Sequence, residues 1–142
     1  VVIGADIQST QTNFPSQARF YQEDVFSRSP AFEAVLAENG PFHLVVSDMA
    51  PSTTGHRSTD QARSAALCEE ALAAALLHLI KGGGFVVKVF MGPDVKALTE
   101  AMRKHFATVK SFKPASSRSE SMETFYVGLG FKGLPPPDPG DL

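Results

Sequence analysis

Residues 82–92 read Gly-Gly-Gly-Phe-Val-Val-Lys-Val-Phe-Met-Gly. Five apolar side chains surround Lys88 within Phe85–Phe90, the composition of a strand covered on both faces, as in a parallel sheet. An ammonium placed there is costly unless paired, and desolvation disfavours its charged form. A lysine at a strand end that snorkels to water is the plain reading. A lysine held to move a proton or to stabilise charge is the functional one.

Outward from this strand, apolar runs alternate with helical patterns. Upstream, Ala65, Ala66, Leu67, Ala71, Leu72, Ala75, Leu76 and Leu79 predict a helix near Thr59–Ile80, stopped by the three glycines. Before it, Phe42–Asp48 reads as a strand. Downstream, Val95, Leu98, Met102 and Phe106 recur at helical spacing near Asp94–Phe106, and strands are predicted at Val109–Lys113 and Thr124–Leu129. The N-terminal third offers strands Val1–Asp6 and Ala18–Asp24. A short helix follows, with Ser29 as N-cap, Pro30 at its first position and Gly40 just past its end. Strands alternating with helices predict an α/β domain with a largely parallel sheet. Leu134–Leu142, with four prolines, reads as a disordered tail.

The 142 residues are 43% apolar, enough for one core. One cysteine, Cys68, excludes a disulfide framework and a multi-cysteine metal site. No run of eighteen apolar residues suggests a membrane span, and Val1-Val2-Ile3-Gly4 lacks the basic start of a signal peptide. The net charge of −2 conceals an asymmetry: residues 1–80 carry −5, residues 81–132 carry +5 and the tail −2. The basic half could meet an anion that the other half would repel. His43, His56, His78 and His105 show no ligand-like spacing, and no metal site is expected.

Three predicted strands end on an aspartate: Asp6, Asp24 and Asp48. In open α/β sheets ligands bind beyond the carboxyl ends of the strands, where a carboxylate can accept ribose hydroxyls or an amino group. Each could equally be a turn or cap residue, but one nucleoside-like ligand would explain all three. No G-x-G-x-x-G or G-x-x-x-x-G-K-[ST] turn occurs, which removes the usual phosphate cradles and argues against a nicotinamide oxidoreductase. Glu123 opens the last predicted strand and gains meaning only if it converges on Lys88.

SDMAPSTTGHRSTDQARS (47–64), GGGFVVKVFMG (82–92) and KPASSRSESMETFYVGLG (113–130) resemble, in order and spacing, the motifs of the FtsJ (RrmJ) family of S-adenosylmethionine-dependent RNA ribose 2′-O-methyltransferases. The resemblance runs from Val1 to about Gly133. It implies a Rossmann-like sheet, mostly parallel with an antiparallel last strand, flanked by helices, and a cytoplasmic monomer acting on large-subunit ribosomal RNA. By the same resemblance Asp48, Lys88 and Glu123 match three members of the family's Lys–Asp–Lys–Glu tetrad. Asp6 and Asp24 match positions that hold the adenosyl ribose and the adenine amino group, and Asp48 also faces the methionine end of the cofactor. The family's first lysine and Gly-rich cofactor turn have no counterpart here. The resemblance therefore implies a methyltransferase domain over 1–133, incomplete at its start, whose absent first strand belongs between the strands ending at Asp6 and Asp48. Transfer RNA or cap ribose remains open as substrate, as does a non-catalytic RNA-binding or ribosome-assembly module that keeps the fold. Lys113 and Arg118 flank the segment leading to Glu123 and are expected at an RNA-binding rim.

Overall fold

The computed structural model describes residues 1–49, 54–113 and 123–134, in the order β1 (Val2–Asp6), β2 (Ala18–Gln22), α1 (Pro30–Asn39), β3 (Phe42–Ser47), α2 (Arg57–His78), β4 (Leu79–Phe90), α3 (Val95–His105), β5 (Phe106–Phe112) and β6 (Glu123–Phe131). The chain divides into two compact units, Val1–Pro41 and Phe42–Leu142. The predicted tail lies outside the described residues except for Leu134.

In the first unit β1 and β2 run parallel, with Val2 opposite Ala18 and Asp6 opposite Gln22. The predicted β2 reached Asp24. It stops at Gln22 instead, opposite Asp6, where its partner β1 ends; Glu23 N still donates to Asp6 O at 2.9 Å, and the Glu23 carboxylate accepts from the backbone N–H and the hydroxyl of Ser29. Ser29 in turn accepts from Phe32 N, the expected N-cap of α1, with Pro30 at the first helical position. Phe32 is the one buried side chain of α1 and packs its ring 5.4 Å from that of Tyr21.

The second unit is a four-stranded sheet in the order β3-β4-β6-β5. β3 and β4 are parallel, while β6 is antiparallel to both β4 and β5 and slots between them. β3, β4 and β5 therefore share one direction and the last strand runs against them, the arrangement expected of this sheet. Burial along β4 alternates: Phe85, Val87 and Val89 are buried, while Val86, Lys88 and Phe90 are half-exposed. The apolar run around Lys88 is therefore not covered on both faces within this unit. The inner row packs with Cys68, Leu72 and Ala75 of α2 and Leu98 and Met102 of α3. No helix among the described residues is long and apolar enough to cross a membrane.

Glycines in β4 and β6 sit where backbone or ring approaches closely, and the first group differs from expectation. The triple glycine does not separate helix from strand: α2 ends at His78, and Gly82, Gly83 and Gly84 lie inside β4. A Cβ on Gly83 would stand 2.9 Å from Ile80 O and 3.0 Å from His43 O, so only glycine admits the close approach of backbone there. In β6, a Cβ on Gly128 would meet the ring of Phe106 at 2.7 Å. Phe106 is 1% exposed and has no room to retreat. We expect Gly128→Ala to destabilise the fold by about 1–2 kcal/mol, overpacking outweighing the strand's gain in backbone entropy. Chemical denaturation measures this directly, and a neutral outcome would mean that the Phe106 ring yields.

Candidate functional site

The Lys88 region is built by three neighbours of the end of β4. On one side β6 pairs antiparallel, setting Lys88 opposite Phe125 and Phe90 opposite Glu123. Lys88 and Glu123 are thus diagonal neighbours on one face of the sheet. Their charged ends lie 3.9 Å apart (Nζ to Oε1), with the side chains 19% and 44% exposed. That separation is a charge pair without a direct hydrogen bond. Thr124, buried beside Glu123, donates its hydroxyl to Phe112 O and ties the start of β6 to β5.

On the other side the parallel ladder with β3 reaches its last pair at Ser47 and Val87. Asp48 is the next residue, exposed, where β3 ends beside Lys88. Lys88 and Asp48 therefore occupy adjacent positions at the carboxyl ends of two parallel strands. Among the described residues no ion pair within 4.0 Å joins Asp48 to Lys88.

The third neighbour is α2, which a reading of the sequence alone did not connect with Lys88. Past Val87, β4 has no strand on the β3 side, and backbone groups two residues apart point the same way. α2 supplies their partners. The Cys68 thiol donates to Lys88 O at 3.2 Å, Phe90 N donates to Ser64 Oγ at 2.9 Å, and Gln61 Nε2 donates to Met91 O at 2.6 Å. Gln61, Ser64 and Cys68 form one stripe at helical spacing. Cys68 is therefore more than the small buried hydrophobe its position in an apolar helix suggests. Burial pushes its thiol up to about 11, which keeps the proton that makes it a donor. Gly92 leaves the space for this: a Cβ there would stand 2.8 Å from Gln61 Cδ. Small polar residues on an otherwise apolar stripe were the available signal.

One further α2 residue holds Thr54, three residues ahead of the helix. Asp60, 8% exposed, accepts from both the N–H and the hydroxyl of Thr54, each at 2.8 Å. The Thr54 hydroxyl accepts in turn from His56 N. These backbone hydrogen bonds, led by Thr54 N–H and aided by its hydroxyl, Gly55 N–H and the charge of Arg63, hold the Asp60 carboxyl below its ordinary value against the opposing effect of burial. An acid in the first turn of α2 also suits the helix dipole. Residues 50–53 and 114–122, with Arg118 among them, lie outside the described residues; Lys113 is exposed just past the end of β5.

Asp6 and Asp24 belong to the first unit. Asp6 is the last residue of β1 and accepts from Gln8 N at 2.8 Å; Asp24 lies two residues past β2 and accepts from Phe26 N at 3.0 Å. Both are exposed and both serve local turns, at the carboxyl end of one parallel pair. Each carboxylate keeps acceptor capacity beyond that one bond. Among the described residues no cluster of three or more His, Cys, Asp or Glu could hold a metal ion.

A family model for FtsJ-like methyltransferases matches residues 1–131. The chain belongs to that family. Its FtsJ-like sequence is 67% identical over 134 residues to ribosomal RNA large subunit methyltransferase E of Oleidesulfovibrio alaskensis, covering 94% of this chain and 65% of that protein. The protein of that name from Nitratidesulfovibrio vulgaris (strain Miyazaki F) is 65% identical over 132 residues, covering 93% of this chain and 66% of the relative. The chain thus spans just under two thirds of the length of these curated relatives. A crystal structure from Plasmodium falciparum, described as a ribosomal RNA methyltransferase, superposes with a TM-score of 0.79 at 20% identity, over 94% of this chain and 73% of that one. This likeness shows the shared FtsJ-like fold.

Two outcomes follow from the α2 contacts. The Asp60 carboxyl titrates lower when folded than when unfolded, so its stabilisation is complete above the ordinary carboxylate range. It is lost as pH falls through and below that range. Acid unfolding of Asp60→Asn should accordingly depend less on pH than that of the parent; parallel curves would refute the linkage. Ser64→Ala strands Phe90 N without its acceptor and should cost about 1–3 kcal/mol in denaturant unfolding.

Proposed function

We propose that this chain carries the catalytic part of an S-adenosylmethionine-dependent methyltransferase that modifies a ribose 2′-hydroxyl of large-subunit ribosomal RNA. The observation that carries the reading is the Lys88–Glu123 pair at the carboxyl edge of the sheet, beside the strand end at Asp48, in a member of the FtsJ-like family. The substrate follows from the relatives, which are named ribosomal RNA large subunit methyltransferase E. On this reading the protein works with its RNA in the cytoplasm, where the single Cys68 stays a thiol.

The residues present suit the cofactor. Exposed Asp6 and Asp24 share one sheet edge and retain free acceptor capacity, which matches ribose hydroxyls and an adenine amino group. When bound, S-adenosylmethionine supplies an electrophilic methyl on a sulfonium. The chain's own residues do the rest. A ribose hydroxyl is a very weak acid, so its attack needs a group to receive or direct its proton. Lys88 is assigned that role, its Nζ lying at the carboxyl edge of the sheet within 4 Å of Glu123. Glu123, 3.9 Å from Nζ, is assigned to orient the lysine, and Asp48 would contact the cofactor and the hydroxyl. Holding the ribose hydroxyl in a fixed position beside the bound cofactor would supply the remaining acceleration.

Single-turnover methylation of ribosomal RNA together with cofactor titration tests these roles. Lys88→Ala should slow methyl transfer roughly 10²–10⁴-fold while leaving cofactor affinity near that of the parent. Asp48→Ala should damage both. Unchanged turnover in Lys88→Ala would remove the lysine from the chemistry.

A further inference from the structure

We propose that the edge of the second unit opposite the Lys88–Glu123 pair is a separate docking surface for the phosphate backbone of the RNA. The inference extends the reading of RNA as substrate and rests on it. Four exposed cations meet at the amino ends of β4 and β5: Lys81 on β4, Arg103 and Lys104 in the last turn of α3, and Lys132 just past β6. Their proximity is structural. Lys132 N donates to His105 O at 2.9 Å and its Nζ reaches Arg103 O at 3.5 Å. The stem of Lys81 lies 3.9 Å from where a Cβ on Gly133 would stand. The β4–β6 register, Phe85 opposite Gly128, carried outward brings Lys81 level with Lys132.

Among the described residues none of these four has a carboxylate within 4.0 Å. Glu100, one turn back on α3, closes no such pair with Arg103 or Lys104. Like charges facing each other across strands are unfavourable. The dipole of α3 accounts for cations at its C-terminus, and the Arg103 carbonyl gives Lys132 a partner. Neither accounts for Lys81, on a neighbouring strand. An external polyanion would offset all four charges together. Lys81 lies seven residue steps along β4 from Lys88, about 23 Å at strand rise. A phosphate chain gripped at this edge is therefore remote from the reacting ribose, which suits a large folded RNA rather than a short strand.

The test compares binding of a large-subunit rRNA transcript and of a hexanucleotide across a salt series. Replacing all four residues, Lys81→Ala/Arg103→Ala/Lys104→Ala/Lys132→Ala, should flatten the log–log salt slope for the transcript by about 3, at 0.7–0.9 per lost phosphate contact. The hexanucleotide slope and the S-adenosylmethionine titration should stay as in the parent. The pair Lys81→Ala/Lys132→Ala, which leaves the charges on α3 in place, should show about half that change. Lys81→Arg/Lys104→Arg/Lys132→Arg should restore the parental slope. An unchanged transcript slope in a four-site variant that still binds S-adenosylmethionine overturns the proposal, even if its melting temperature falls, because that result leaves only the helix dipole. An equal change for the hexanucleotide also overturns it. Methyl transfer is scored separately: a parent chain that transfers no methyl but shows the slope change refutes the catalytic reading and leaves the RNA surface standing.

Discussion

The second unit depends on a handover of backbone hydrogen bonds at the end of β4. β3 accompanies β4 only as far as the Ser47–Val87 pair, and then departs toward Asp48. From there Cys68, Ser64 and Gln61 of α2 satisfy Lys88 O, Phe90 N and Met91 O. Unmet backbone groups in a half-buried strand end are costly, so this stripe lets two parallel strands part without penalty. The same helix, through Asp60, also holds Thr54 ahead of its own start.

This arrangement explains why a lysine is tolerated in an apolar strand. Its backbone is held rigidly from both sides, by β6 and by α2, while its side chain lies on the less covered face. Glu123 shares that face because the antiparallel register offsets it diagonally from Lys88. On the proposed reading, alignment of Lys88 for proton transfer needs such rigidity more than it needs burial. The large inner residues on the opposite face, Phe85, Val87 and Val89 against α2 and α3, supply the stiffness.

Much of the framework was legible in the residues. The helical stripe of α3 and the Ser29–Pro30 start of α1 are local properties, and the structure reproduces them within a residue or two. The motifs around Asp48, Lys88 and Glu123 pointed to the right family. The triple glycine was misread because helix termination and close backbone approach call for the same residue. The end of β2 was misplaced because it is set by its partner: β1 ends at Asp6, opposite Gln22, so the ladder has nothing further to pair with. Burial of Lys88 was overestimated because an apolar run reports hydrophobicity and not which face is covered.

The sequence by itself determined the elements, the family and which acids and lysine deserve attention, since periodicity and motif spacing are written along the chain. Only the tertiary structure decided that Lys88 pairs with Glu123, 35 positions away, because that contact depends on β6 inserting antiparallel between β4 and β5. It likewise decided that Gln61, Ser64 and Cys68 complete a strand's hydrogen bonds and that four scattered cations gather at one edge. Such roles are set by the neighbours a fold brings together through space, and adjacency in space leaves no mark in the linear order of residues.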